Sequence, residues 1–561
     1  MTVTLLYLIL GITVLLGIII NIKVKRKFIN NTIKKNILMK WGKVPVEEYK
    51  TGELKAISSY YKNFSENKKG KHHFIDDTTW NDLDMDSVFK RINNTLTTAG
   101  EEYLYFLLRK PEFDDALLIE RNRLIEYFIK NQIDREKIQM TMAGLGKNRF
   151  IGISDYFFNN EKGKTFNGTL YKLLSLSFLI SPFLMIYNLI FGLLIMVILF
   201  ITNITFYYRV KNRIEAYLEG LSYIVDVIRI SRKIGRTGTS SIEKYAGKLN
   251  ELSSKIKGIS ISSFYQLFYK TNDMFLENIK VVFLVELIGF ESLLKCINRF
   301  SEEIRDLFET IGFLDSIISI ASYRESLNFY SVPELHKSVN DKSANLFFSD
   351  AYHPLINEPV ANSINMEKST LITGSNASGK STFLKTVAIN AILAQTIYTC
   401  LARDYKSCYF MIFTSMALRD DLSKNESYYV TEIKSLKRIL DNLNWEFPLL
   451  CIIDEVLRGT NTIERIAASS EILYNLGKSN CICVAATHDI ELTSILKNHY
   501  DNYHFREHFE DGIIFFDYII FPGKSKTHNA IRLLRHLGYG ENIVRAAEVK
   551  AEGFLQEGKW K

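Results

Sequence analysis

Proline is scarce in this sequence, with eight in 561 residues, and glycine reaches only 29. So few chain breakers argue against proline-rich linkers and disordered tracts, and neither a low-complexity segment nor an internal repeat is present. Cysteine is sparse too: Cys296, Cys400, Cys408, Cys451, Cys481 and Cys483. Cys481 and Cys483 fall on one face of a strand, and no second pair is spaced to complete a metal site. The six are expected to be reduced core thiols of a cytosolic domain, which excludes a disulfide scaffold or a zinc module. The net charge of +8 is spread over the whole length and points to no nucleic-acid partner by itself. What is plentiful is apolar: 47% of residues are hydrophobic and 13% aromatic, enough for a large core, more than one domain and a helix-rich, ordered chain.

Charge is missing altogether from two stretches. Residues 1–22 carry none, and Leu5 to Ile22 is nearly all apolar before Lys23, Lys25, Arg26 and Lys27. A cleaved leader would place basic residues ahead of the apolar run and a small-residue cleavage site behind it; this stretch has neither. It reads as an uncleaved anchor with its N-terminus outside the cell. From Leu173 to Tyr208, 36 residues contain no ionisable side chain. One span needs about 20 residues, so this run suits a hairpin turning near Tyr187-Asn188, with Pro182 in its first limb. Lys162, Lys164 and Lys172 precede it and Arg209, Lys211 and Arg213 follow, so both ends are expected on the cytosolic side. The alternative is a buried soluble hairpin. Val281 to Phe290 is also apolar, but Glu277, Lys280, Glu286 and Glu291 interrupt it, which favours a packed helix. A basic cluster at Arg229, Arg232, Lys233 and Arg236 suits anionic lipid or solvent better than DNA, because no aromatics are interleaved with it.

The chemistry is concentrated downstream. Gly374-Ser375-Asn376-Ala377-Ser378-Gly379-Lys380-Ser381-Thr382 fits G-x-x-x-x-G-K-[ST] between a short apolar strand, Leu371 to Thr373, and a helix from Phe383. In such a loop backbone N–H groups turn toward phosphate oxygens, Lys380 reaches the β- and γ-phosphates, and Ser381 ligands Mg²⁺. About 75 residues further on, the apolar run Leu449 to Ile453 ends in Asp454-Glu455. Asp454 suits the Mg²⁺ shell, and Glu455 suits a base or orienter for the attacking water. A third apolar strand from Cys481 ends in Thr487-His488, where His488 is placed to sense the γ-phosphate or hold that water.

In order and spacing, Tyr352-His353-Pro354-Leu355, the loop at 374–382, Asp454 to Thr462 and Ala486 to Leu492 resemble the ATPase domain of the MutS family. Leu457 stands where the family pattern D-E-[LI]-G-R-G-T has its first glycine. Ser427-Tyr428-Tyr429-Val430-Thr431-Glu432 resembles the signature S-T-F-M-x-E, which implies that Ser427 caps the γ-phosphate held by a neighbouring subunit. His528 to Gly538 is weakly similar to the family's C-terminal pattern. Upstream, Asn93 to Gly100 and Leu314 to Ile317 resemble the start and end of the family's helical core.

The expected fold is therefore an α/β P-loop ATPase domain of ABC-like, MutS type, preceded by an all-α core with transmembrane helices. The expected divisions are an anchor at 1–22, helical core at 23–172, a membrane hairpin at 173–208, a second helical part at 209–335 and the ATPase with its C-terminal helical dimerisation segment at 336–561. ATP and Mg²⁺ are the expected cofactors, and the resemblance implies a homodimer. About fifty residues between anchor and core leave no room for the mismatch-reading and connector domains of full-length relatives. The expected protein is thus a multi-pass membrane ATPase with about three spans, its ATPase domain cytoplasmic and its protein partner unidentified. A tethered DNA sensor, with DNA implied by resemblance alone, and an ABC-type transport motor are the alternatives.

Overall fold

The structure, a computed structural model, describes residues 20–21, 23–25, 27–67, 73–158, 168–237, 240–256, 274–338, 344–375, 378–416, 428–443, 445–458, 460–510, 513–524, 531, 534–535 and 538–557. These fall into two compact units. The first comprises residues up to 72 with 92–107 and 120–326, and is helical; the second comprises 73–91, 108–119 and 327–561, and carries the sheets.

In the first unit the charge-free run folds as two helices, α1 (Gly168–Tyr187) and α2 (Leu189–Ile234). Asn188 breaks the chain between them with extended backbone, and its side-chain oxygen accepts from the N–H groups of Ile190 and Phe191 at 3.1 Å each, capping α2. Gly192 allows the two limbs to approach, since a Cβ there would fall on the main chain of Met185. Gly168–Tyr187 and Leu189–Lys211 are both long and apolar enough to cross a membrane. Only 17% and 11% of their apolar windows are buried, so they are not core helices: Leu179, Phe183, Ile190, Leu194 and Ile198 all face outward. The polypeptide of α2 continues unbroken for 46 residues, about 69 Å at the standard helical rise. Its far end changes character, burying Leu218, Leu221, Ile224, Ile228 and Ile234 in the unit's core.

Helices α3 (Met274–Val282) and α4 (Val285–Arg299) pack against the lower part of the hairpin. Asn203 donates to the carbonyl of Val282 at 2.9 Å, the Tyr207 hydroxyl donates to Glu286, and Phe178 meets Phe283 edge-on at 5.5 Å. The carboxylates that interrupt this apolar stretch are thus partly explained by polar contacts with the hairpin. The long helix α5 (Ser301–Glu325) is clasped by the segment before Gly100. Asp315 accepts from Leu96 N at 3.0 Å, Thr97 N at 2.9 Å and the Thr97 hydroxyl at 2.6 Å, and Ser319 accepts from Asn94 N at 2.7 Å. The two sequence patterns at 93–100 and 314–317 therefore meet in space. Two members of the basic cluster have partners within the unit: Arg229 pairs with Asp226, and Arg232 donates to Ser253 O at 2.9 Å.

The second unit contains ten strands among its described residues: β1 (Glu334–His336), β2 (Leu346–Ala351), β3 (Asn362–Met366), β4 (Ser369–Thr373), β5 (Asp404–Cys408), β6 (Met411–Ser415), β7 (Leu449–Asp454), β8 (Cys481–Ala486), β9 (Tyr500–Glu510) and β10 (Ile513–Pro522). One sheet runs β10-β9-β4-β8-β7-β6, parallel except for the β10 edge; a smaller mixed sheet runs β1-β5-β2-β3. Two stretches from far upstream complete this unit. Asp82 accepts from the Thr414 hydroxyl at 2.6 Å and Met416 N at 3.0 Å, and Phe113 packs on Phe447 at 4.4 Å. Cys451, Cys481 and Cys483 are buried thiols within the larger sheet.

Candidate functional site

Strands β4, β7 and β8 are buried along their whole length, as continuous apolar runs in a parallel sheet should be. Their register pairs Ile372 with Ala486 and Asp454 with Ala486. The chain therefore leaves three neighbouring strands at one carboxyl edge, where α/β sheets bind ligands. This edge brings together the loop after β4, Asp454-Glu455 after β7 and Thr487-His488 after β8.

The loop after β4 turns on its two glycines. Gly374 has φ 147° and Gly379 φ 105°, and a Cβ on Gly379 would lie 3.1 Å from the ring of Tyr518. Helix α6 (Lys380–Thr396) begins directly behind. Asn376, Ala377 and Ser427 lie outside the described residues. Ser375 donates its hydroxyl to Glu507 on β9, and Ser378 is buried. Lys380 Nζ donates to Gly374 O at 2.6 Å and Ser375 O at 2.9 Å, and lies 3.4 Å from His488 Nε2. Ser381 Oγ donates to Asp454 Oδ2 at 2.6 Å. Glu455 Oε1 is 3.0 Å from His488 Nε2, and its other oxygen is 2.6 Å from Arg458 Nε.

Electrostatics follow from these contacts. Burial pushes the Lys380 ammonium down to about 8, against the opposing pull of Glu455 and Asp454. Glu455 is held below the usual carboxylate range, first by the His488 hydrogen bond and then by Arg458 and Lys380, while burial works the other way. Glu455 therefore remains ionised, and Lys380 loses its proton more readily than an exposed lysine.

A polar cleft of about 540 Å³ is lined by Ser375, Gly379, Lys380, Ser381, Thr382, Asp454, Glu455, Arg458, His488 and Tyr518. A second cavity of about 410 Å³ shares Gly379, Thr382 and Tyr518 with it and is walled by His353, Ile356, Pro359, Val360, Phe383 and Phe505. The sequence reading singled out neither Arg458 nor the β9–β10 residues Glu507 and Tyr518. Arg458 is adjacent to the acidic pair, which was the available signal; Glu507 and Tyr518 arrive through strand pairing, for which no local motif exists.

Residues 370–554 match the family model of MutS domain V. The DNA mismatch repair protein MutS of Methanosarcina mazei is 28% identical over 289 residues, covering 48% of this chain and 31% of that protein. The same-named protein of Fervidobacterium nodosum is 28% identical over 298 residues, covering 48% and 35%. MutS protein homolog 4 of Mus musculus is 32% identical over 226 residues, covering 38% and 22%. Residues 370–554 are a MutS domain V, and the chain is similar to MutS-family proteins over up to about half its length. It spans about a third of the length of the first of these relatives. In this MutS domain V Leu457 takes left-handed backbone, φ 59°, as Glu455 does, φ 59°. The turn thus keeps a conformation suited to glycine while carrying a buried leucine.

Proposed function

We propose that this protein is a P-loop ATPase that binds Mg²⁺-ATP in the polar cleft, hydrolyses it in a site shared between two copies, and works at a membrane. The observation that carries the reading is the convergence of Lys380, Ser381, Asp454, Glu455 and His488 on one cleft at the carboxyl edge of the sheet. The donor set suits Mg²⁺: a hydroxyl and a carboxylate already in contact, in a site with room for waters and phosphate oxygens. Ser381 and Asp454 would hold the ion, which when bound offsets charge on the phosphates.

The protein's own groups account for the rest. The loop's N–H groups and Lys380 bind the triphosphate, and the adjoining apolar cavity is of a size and character to take the base and sugar. Glu455, ionised and hydrogen-bonded to His488, orients and deprotonates water for in-line attack. Ser427 of a second copy completes the γ-phosphate end. The outward-facing apolar hairpin supports membrane insertion, with the ATPase on the cytoplasmic side. Residues 1–22 form a further anchor in this reading, with the N-terminus outside.

Glu455→Gln keeps the shape of the site and removes the base. It is expected to abolish turnover while ATP binding stays within about twofold of wild type. Unchanged turnover in this variant overturns the assignment. The similarity to DNA mismatch repair proteins favours a second reading, a membrane-tethered sensor of mismatched or branched DNA. Salt-dependent DNA binding by the detergent-solubilised protein supports it; no binding at low salt removes it.

A further inference from the structure

Two non-glycine residues, Glu455 and Leu457, occupy left-handed backbone on either side of Val456. Something must hold this turn, because a leucine there relaxes readily to an ordinary conformation. Its back is fixed by packing: Val456 and Leu457 are buried in one apolar cluster with Leu436, Ile439 and Leu473. Its front is held differently. Glu432, on helix α7 (Tyr428–Leu440), is 3% exposed and reaches over the turn. Its Oε1 accepts from Leu457 N at 2.6 Å and lies 3.4 Å from Arg458 N. Consecutive N–H groups around a left-handed residue form a concave anion site, a backbone nest, and here a side-chain carboxylate of the same unit occupies it. The second oxygen, Oε2, is buried without a partner among the described residues, so the nest is the anchor of this carboxylate.

The turn in question sets the direction of Glu455. Glu455 N is tied back to Ala486 O at 3.0 Å, so the residue pivots between β8 on one side and the nest on the other. Arg458, the nest's second residue, in turn reaches back to the Glu455 carboxylate at 2.6 Å. We propose that Glu432 is a positioning residue for Glu455: by filling the nest it holds Leu457 left-handed and keeps both Glu455 and Arg458 aimed into the polar cleft. The inference rests on the ATPase reading for its consequence, but not for its geometry. Glu432 does not itself line the cleft, and it meets the cleft's Arg458 only at the backbone N–H, so it acts through the turn.

The test compares Glu432→Ala with Glu432→Gln in the full chain, purified in detergent. Alanine leaves the nest empty, whereas glutamine keeps an acceptor oxygen in place. Glu432→Ala is expected to lower kcat at least tenfold with the ATP Kd within twofold and the thermal midpoint little changed, while Glu432→Gln retains kcat within about threefold. Amide exchange at Leu457 is expected to accelerate at least tenfold in the alanine variant only. An alanine variant with wild-type kcat, or equal loss of ATP binding and turnover in both variants, overturns the positioning role. A wild-type protein without turnover defeats the ATPase reading instead. In that case unchanged exchange at Leu457 in Glu432→Ala separately defeats the nest.

Discussion

At the scale of single residues, Lys380 joins sequence, burial and chemistry most directly. It sits at the start of α6 because the loop's second glycine turns the chain there, and its ammonium is fastened to two loop carbonyls. Burial brings its titration down to about 8. A bound triphosphate favours the charged form and raises that value, so ATP binding between about pH 8 and 9 should take up a proton. Affinity should accordingly weaken as pH rises through about 8. Calorimetry in buffers of different ionisation enthalpy reads the proton directly; Lys380→Arg, which stays charged, should show no uptake from this site. The motif made Lys380 legible in the sequence, as it did Ser381, Asp454 and Glu455. Leu457 was legible only as a departure from a glycine pattern. Glu432 closes the stretch that resembles S-T-F-M-x-E, but its contact with the turn, 25 residues further on, has no local signature.

At the scale of elements, the strands around the site were readable because a parallel strand buried on both faces must be apolar throughout, as β4, β7 and β8 are. Strands β9 and β10 were not readable, nor was the packing of 73–91 and 108–119 into the sheet-bearing unit. Contacts such as Asp82 with Thr414 join residues more than three hundred positions apart, and no periodicity reports them. The hairpin was readable from missing charge alone, and its exposed leucines and isoleucines give that absence a physical demand: this surface needs an apolar environment. Leu194→Arg with Ile198→Arg places two guanidinium groups near the middle of α2's apolar stretch, each costing about 2.5–3.5 kcal/mol in a bilayer. Made in a chain shortened to begin after the proposed anchor at 1–22, the double variant is expected to leave the carbonate-resistant membrane fraction, where the shortened parent stays, while ATP binding by the soluble form persists. Full retention in the membrane would mean that the hairpin is not what anchors the chain.

At the scale of the whole molecule, the cleft presents Lys380, Ser381, Asp454, Glu455 and His488 from one copy, and the proposed function adds Ser427 of a second copy as the cap. Two copies related by a two-fold axis would each give a loop to one site and a cap to the other, so each site mixes two chains. This makes a prediction that a self-contained site does not. Lys380→Ala destroys a subunit's own loop but leaves its cap; Ser427→Ala does the reverse. Each variant alone should be inactive. Mixed in equal amounts and allowed to exchange, half of the dimers are hybrids. Each hybrid has one site with an intact loop and an intact cap, and one with neither, so turnover should recover to roughly a quarter of the wild-type value. If every site is built from one chain, mixing two dead proteins restores nothing. Turnover measured before and after exchange, with dimer content followed by light scattering, separates these outcomes, because exchange without recovery excludes the shared site while the loop's own role in Lys380→Ala stands.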